Sequence, residues 1–204
     1  MMNFFKIRQL NRRTFLGAFA SFSALSIPSY AMDAGEAEEL VTKVVREINK
    51  VIASGKSDSA IMVDFEKLFD KYADVNTIAR YALGRDARKA SASELKEFTK
   101  IFKRYISHKY GSRFREFIGG KIEVKSSRKV KKFYEVKTNA VVQNQGSFEV
   151  IFLVSDRSGQ KLFFNIFVEG INLLLTERSE IGSMLDRNNG DINAMILDLK
   201  KSVG

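Results

Sequence analysis

Side chains able to do bond chemistry are scarce in this chain. It has no cysteine and a single histidine, His108, which removes thiolate nucleophiles, disulfides, Cys-ligated metals and His-rich metal sites. Arg104 and Lys109 stand close to His108, and cations disfavour the imidazolium instead of tuning it for proton transfer. An exposed surface position is expected. Serines are plentiful, but no Gly-x-Ser-x-Gly elbow occurs, and any triad would need that one histidine. Asp64, Asp70 and Asp74 lack the glycine and bidentate glutamate of a calcium loop, so capping and solvation account for them. Neither a metal, a cofactor nor a catalytic group is expected. Arg178 stands out for a different reason. It follows Leu174 by four residues and precedes Ile181 by three, on a helical face that otherwise reads as buried, where a charge needs a partner. Two partners are open: a carboxylate such as Glu169, or the phosphate of a ligand at a cavity mouth, where a guanidinium can hold two oxygens.

The elements that would position these residues follow from periodicity. Leu40, Val41, Val44, Val45, Ile48, Val51 and Ile52 repeat at helical spacing, with Lys43, Arg46, Glu47 and Lys50 opposite. Gly55 stops that helix. Ile61, Phe65, Leu68, Phe69 and Tyr72 predict a second, and Asp74 caps a short third through Leu83. Ser91, with Glu94 three residues on, opens the longest pattern as a capping box. Its apolar face is Leu95, Phe98, Phe102, Tyr105 and Ile106, and Phe114 and Phe117 continue it past a bend at Gly111 before Gly119-Gly120 ends it. From Lys121 the period falls to two. Ile122 and Val124, then Tyr134, Val136, Thr138, Ala140 and Val142, alternate with polar residues, and Asn144-Gln145-Gly146 is a turn. Ser147 to Ser155 and Lys161 to Glu169 are apolar at nearly every position, as in strands covered on both faces. Helical spacing returns after Gly170, with a last helix capped by Asp191. The fold expected is α+β: one domain with a curved four-stranded antiparallel sheet in meander order, the N-terminal helices packed on its concave face, and two C-terminal helices.

The chain has 204 residues, 45% hydrophobic and 28% charged, which suits one globular domain and excludes a disordered chain. No apolar run reaches the roughly 18 residues of a membrane span. Asn11-Arg12-Arg13-Thr14-Phe15-Leu16-Gly17 sets an arginine pair before the apolar stretch 15–27, and Pro28 with Ser29-Tyr30-Ala31 supplies a turn and a small-x-small cleavage signal. Residues 1–31 thus read as a cleavable twin-arginine signal peptide and residues 32–204 as the mature domain, exported to a bacterial periplasm. The leader holds Lys6, Arg8, Arg12 and Arg13 without an acid, so of the net charge of +10 only +6 belongs to the mature part. In the periplasm that charge points to anionic lipid head groups or acidic proteins and away from nucleic acid. Of 17 phenylalanines, five lie in the leader. The other twelve fall mainly on the long helix and the last two strands, where they would converge, more apolar lining than one sheet and one helical layer must bury. A cavity is the alternative to a solid core.

At this point the residues resemble a known family. Phe69-Asp70, then Asp74-Val75 and Ile78-Ala79-Arg80-Tyr81-Ala82-Leu83-Gly84-Arg85, is similar to the helical motif of the MlaC or toluene-tolerance family, the periplasmic phospholipid-binding component of the Mla lipid-asymmetry system. Ala90-Ser91, Leu95, Phe98, Phe102 and Tyr110-Gly111 follow in the expected order. Phe167-Val168-Glu169-Gly170-Ile171-Asn172-Leu173, with Arg178 downstream, resembles the family's strand-end Glu-Gly turn and later arginine. The likeness spans about residues 40–200. Two departures stand out: Ala87 where the family commonly has Trp, and Glu177 where it commonly has Tyr. These bear on the pocket mouth and on which lipid is held.

The resemblance implies a carrier of glycerophospholipid between an outer-membrane lipoprotein complex and an inner-membrane ABC-type transporter with a substrate-binding ring protein. Some relatives belong to hopanoid pathways, so a hopanoid-type lipid is the alternative ligand. The acyl chains are expected between sheet and long helix, against Phe98, Phe102, Tyr105, Val150, Phe152, Phe164, Ile166 and Val168. Phe163 and Phe167 replace the even-numbered residues if the strand faces the other way. Arg178, Arg80 and Arg85 are expected at the head-group or mouth end, with little discrimination among head groups that stay outside. Two rivals are a small cone-shaped isomerase or dehydratase, whose pocket polar groups would be Glu169, Asn165 and Tyr105, and a chaperone with an open apolar patch.

Overall fold

The computed structural model describes residues 32–113, 120–142 and 146–203. The leader and its cleavage point, Phe114, Phe117, Gly119, and Asn144-Gln145 of the expected turn lie outside these residues. The described chain opens on Met32, which is 2% exposed. Its backbone N–H donates to Asp156 Oδ2 at 2.9 Å, and its carbonyl accepts from the Tyr134 hydroxyl.

Four α-helices come first. Asp33 opens α1 (Ala34–Ile52) with a reciprocal box, accepting from Glu36 N at 2.8 Å while Glu36 Oε2 accepts from Asp33 N at 3.1 Å. Its buried stripe is Val41, Val44, Val45, Ile48 and Ile52. Ser57 caps α2 (Asp58–Tyr72) and Asp74 caps α3 (Val75–Leu83). A 3-10 turn, Gly84–Arg88, leads to α4 (Ala92–Gly111), which carries the box expected of Ser91 and Glu94. A side chain at Gly111 would meet Met62 Cγ at 3.2 Å and Cα at 3.3 Å, so the glycine lets α4 and α2 approach.

The sheet is antiparallel, in the order β1 (Lys121–Val130), β2 (Phe133–Val142), β3 (Gly146–Ser155), β4 (Leu162–Val168), β5 (Ile171–Asn172). It has five strands where four were expected. The extra one is a two-residue return: Glu169 (φ 49°) and Gly170 (φ 76°) turn the chain so that Phe167 pairs with Asn172 and Val168 with Ile171. Two strands hold an unpaired residue. Lys125 is extra in β1, and in β4 Phe163 pairs with Val154 while Asn165 pairs with Leu153, leaving Phe164 over. Such bulges bend a strand and reverse its facing. The far edge of β4 is covered: Ala73 bridges Phe163, and Asp74 N donates to Phe163 O at 2.8 Å. At the other edge, β1 carries Lys121, Lys125, Arg128 and Lys129, charges that discourage pairing with another chain.

Two helices close the chain, α5 (Leu173–Arg187) and α6 (Ile192–Ser202), capped by Asn172 and Asp191. Helix α1 lies against β1 and β2, and α5 against β4 and α3. Helix α4 packs chiefly on α2, α3 and α6.

Candidate functional site

Between sheet and helices lies a cavity of about 460 Å³. Its sheet wall is built from cross-strand pairs, Val150 with Val168 and Phe152 with Ile166. Beyond the bulge the parity switches, and Phe163 turns inward opposite Val154. Phe163 meets Phe152 edge-on at 5.6 Å and lies 6.3 Å from Phe69. The helical wall comes from Val44 and Ile48 of α1, Phe65, Leu68 and Phe69 of α2, and Ile78 of α3. Ile106 and Tyr110 of α4 and Leu173 and Leu174 at the start of α5 complete it.

Few polar residues contribute to this wall: Asn165, Glu177, Tyr110 and Arg113. The Asn165 amide is spent on structure. Its Oδ1 accepts from Ile166 N at 2.8 Å and Leu174 N at 3.2 Å, and its Nδ2 donates to Asn172 Oδ1 at 3.0 Å. It ties β4 to β5 and to the first turn of α5.

Glu177 is 3% exposed. Its Oε1 accepts from Lys109 Nζ at 2.8 Å and from the Tyr110 hydroxyl at 2.6 Å. Lys109 also pairs with Glu180, whose Oε1 accepts from the Tyr105 hydroxyl at 2.6 Å. Glu177 Oε2 has no hydrogen-bond partner among the described residues. Burial, then hydrogen bonding to the carboxylates, pushes both tyrosine hydroxyls well above the usual phenol range. Burial raises the Glu180 carboxyl, but Lys109 and Tyr105 together hold it below its ordinary value. Burial likewise opposes the charge on Lys109, and the two carboxylates outweigh it, so its ammonium is held above the usual lysine value.

Of the residues expected from the sequence, Val150, Phe152, Phe164, Ile166 and Val168 contribute to the cavity wall. Phe164 does so at the bulge, while its ring stands edge-on to Phe133 at 5.7 Å. Phe163 was the alternative and also faces in, because the bulge brings both parities to one side. Phe167 pairs with Ile151, away from that wall. The structure does not bring Phe98, Phe102 and Tyr105 to the cavity. Their side chains are buried in the helical layer, with Phe98 and Phe102 rings 5.4 Å apart, because the stripe of α4 is consumed by α2, α3 and α6. Arg80 and Arg85 are exposed. Arg178 lies over the Tyr81 ring at 5.1 Å, and Glu169, its expected partner, accepts from Glu149 N at 2.6 Å instead. Among the described residues, Arg113 is the arginine in the cavity wall. His108 is exposed, as its neighbours foretold. Sequence reasoning passed over Lys109, Tyr110 and Arg113; Glu177 was visible only as a departure from a family pattern.

No group of metal-binding side chains occurs among the described residues, and no described helix is long and apolar enough to cross a membrane. A five-stranded antiparallel meander with helices closing an apolar cavity defines an α+β protein built around a hydrophobic pocket. The family model described as MlaC protein matches residues 38–201, and the chain belongs to that family. Among solved structures it is similar to the phospholipid-binding protein from Ralstonia solanacearum in complex with a phospholipid. The identity is 14%, over 81% of this chain and 95% of that one, with a TM-score of 0.70. A search of curated proteins gives no match.

Proposed function

We propose that this chain is a periplasmic phospholipid carrier. It holds acyl chain in its cavity and moves lipid between an outer-membrane lipoprotein complex and an inner-membrane transporter with a substrate-binding ring protein, which maintains outer-membrane lipid asymmetry. The leader ahead of Met32 supports export. The lipid held by the Ralstonia protein of the same fold supports the ligand class. The observation that carries the reading is the apolar cavity itself. Each methylene brought into water costs about 0.8 kcal/mol, so an unprotected acyl chain costs on the order of 10 kcal/mol to desorb. A cavity of about 460 Å³ removes most of that barrier. If a methylene needs about the 30 Å³ of a liquid water molecule, the space suits about fifteen such groups, the length of one acyl chain.

The test is native mass spectrometry of protein taken from the periplasm. The expected result is co-purified phospholipid. Protein that emerges empty and takes up nothing from vesicles would refute the reading. The pocket-enzyme reading draws on one observation, the Glu177 carboxylate in the cavity wall. Turnover of a small carbonyl substrate by lipid-free protein, lost in Glu177→Gln, would favour it.

A further inference from the structure

We infer that the turn between β1 and β2 is a docking tip for an anionic bilayer surface. Val130 pairs with Phe133, so Lys131 and Lys132 alone make the turn. Two-residue hairpin turns call for left-handed backbone and so favour asparagine and glycine. Lys131 adopts that backbone without being either, at φ 53°, a strained conformation for a lysine. Protection of a sheet edge explains the cations inside β1. It leaves these two unexplained, since a turn offers no ladder to pair with.

Charge gathers around them. Residues 123–135 hold Lys125, Arg128, Lys129, Lys131 and Lys132 against Glu123 and Glu135, a net +3, which is half of the +6 carried by residues 32–204. All five cations are exposed. Lys125 pairs with Glu123 at 2.9 Å and Arg128 with Glu135 at 2.5 Å, while Lys129 lies over the Tyr134 ring at 5.8 Å. Among the described residues, no carboxylate pairs with Lys129, Lys131 or Lys132. The connection 156–161 between β3 and β4 lies at the same end, because Tyr134 pairs with Val154, and it adds the exposed Arg157. The carboxylates there are engaged: Asp156 by Met32 N, Glu36 by Lys161, Glu38 by the Ser127 hydroxyl.

The residue types decide between two partners. Protein interfaces are depleted in lysine and enriched in arginine, whose planar fork grips a single carboxylate, whereas an ammonium is a hydrated point charge. A lysine-rich cluster suits the spread phosphates of an anionic bilayer. Among the described residues, no exposed large hydrophobic side chain belongs to this hairpin, and Phe133 is held edge-on to Phe164 at 5.7 Å, so contact is by charge without insertion. The cavity opens at the other end of the sheet. Its exposed wall residue, Ile171, pairs with Val168, and Val168 with Val150. Ile122 and Phe148 of the same wall flank Ala140, about 20 Å along β2 from Tyr134. A molecule docked by its tip keeps that end free, so docking stations the protein and does not itself load or empty it.

The experiment sediments protein taken from the periplasm with vesicles of phosphatidylcholine, alone or with phosphatidylglycerol added. Binding should require phosphatidylglycerol and fall away between about 0.05 M and about 0.5 M salt, as screening shortens the reach of charge. Each lysine near an anionic surface is worth about fivefold in partition, so Lys131→Asn combined with Lys132→Gly should lose about 25-fold. Its melting temperature should hold or rise, because asparagine and glycine make the better turn. Lys200→Gln combined with Lys201→Gln, an equal change of charge on α6, should bind within about twofold of wild type. No preference for phosphatidylglycerol, unchanged binding by the turn variant, or an equal loss in the α6 variant overturns the inference. Soluble poly-glutamate bound as tightly as the vesicles, and released by the turn variant, assigns the tip to an acidic protein and overturns the bilayer. Should the turn variant fail to fold, Lys132→Gln, which lies outside the left-handed backbone, decides by its own loss of about fivefold. Native mass spectrometry keeps the carrier reading separate: co-purified lipid should be the same in the turn variant and wild type. Lipid lost from the variant alone ties the tip to the cavity and overturns the inference, and lipid absent from both overturns the carrier reading alone.

Discussion

Phe98 and Val168 separate two ways for an apolar side chain to matter. Phe98 has no exposed surface, so Phe98→Ala should lower stability by about 3–5 kcal/mol while the folded fraction still retains lipid. Val168 is half-buried in the cavity wall next to the Glu169-Gly170 turn, where a charge can reach water. Val168→Asp should abolish retention and change the melting temperature little. Thermal unfolding read alongside co-purified phospholipid checks both, and the same outcome for the two variants would place the guest elsewhere. The Lys109 cluster makes a pH prediction. Glu180 is held below 4.5, so its contribution is present above that value and lost as pH falls through the lowered one. Lys109 is held above 10.5, so its contribution is present below that value and lost as pH rises through the raised one. The melting-temperature difference between wild type and Glu180→Gln should therefore be flat from about pH 6 to pH 9 and close below about pH 4.

At the scale of elements, Gly84 and Gly182 give opposite expectations. Gly84, between α3 and the 3-10 turn, has φ 65° and ψ −130°, while the nearest atom to an added Cβ is Arg178 Nη2 at 3.5 Å. Space is adequate and the backbone is not, so Gly84→Ala should cost about 1–3 kcal/mol. Gly182 lies inside α5 with nothing within 4 Å of an added Cβ, and Gly182→Ala should stabilise by about 0.5–1 kcal/mol. Urea unfolding measures both. The elements that could be read from sequence are those with a period or a capping side chain. The stripes of α1 and α2, the caps at Asp74, Ser91 and Asp191, and the alternation in β2 were all visible. Strand β5 was not, since two residues cannot show alternation. The bulge at Phe164 was hidden because β4 is apolar on both parities, and it alone decides that Phe163 and Ile166 share a wall. The stripe of α4 was read correctly as buried, but Phe98, Phe102 and Tyr105 were assigned to the wrong neighbour while Ile106 does reach the cavity, because periodicity reports a buried face without saying what covers it.

For the whole molecule, the cavity's size sets a ceiling. Single-chain lysophospholipids should gain about fourfold in affinity for each added methylene, the equivalent of about 0.8 kcal/mol. The gain should level off near about sixteen carbons, once about 460 Å³ is filled. A series that keeps rising well beyond that length would mean the interior widens around its guest. The way Met32 is seated carries a last consequence. Its N–H already rests on Asp156 Oδ2, so on the proposed export reading, cleavage of residues 1–31 at this bond would turn a neutral amide donor into an ammonium and add an ion pair to the hydrogen bond already made there. Maturation would then finish the molecule as well as free it: Asp156→Asn should lower the melting temperature of the processed form more than that of the precursor.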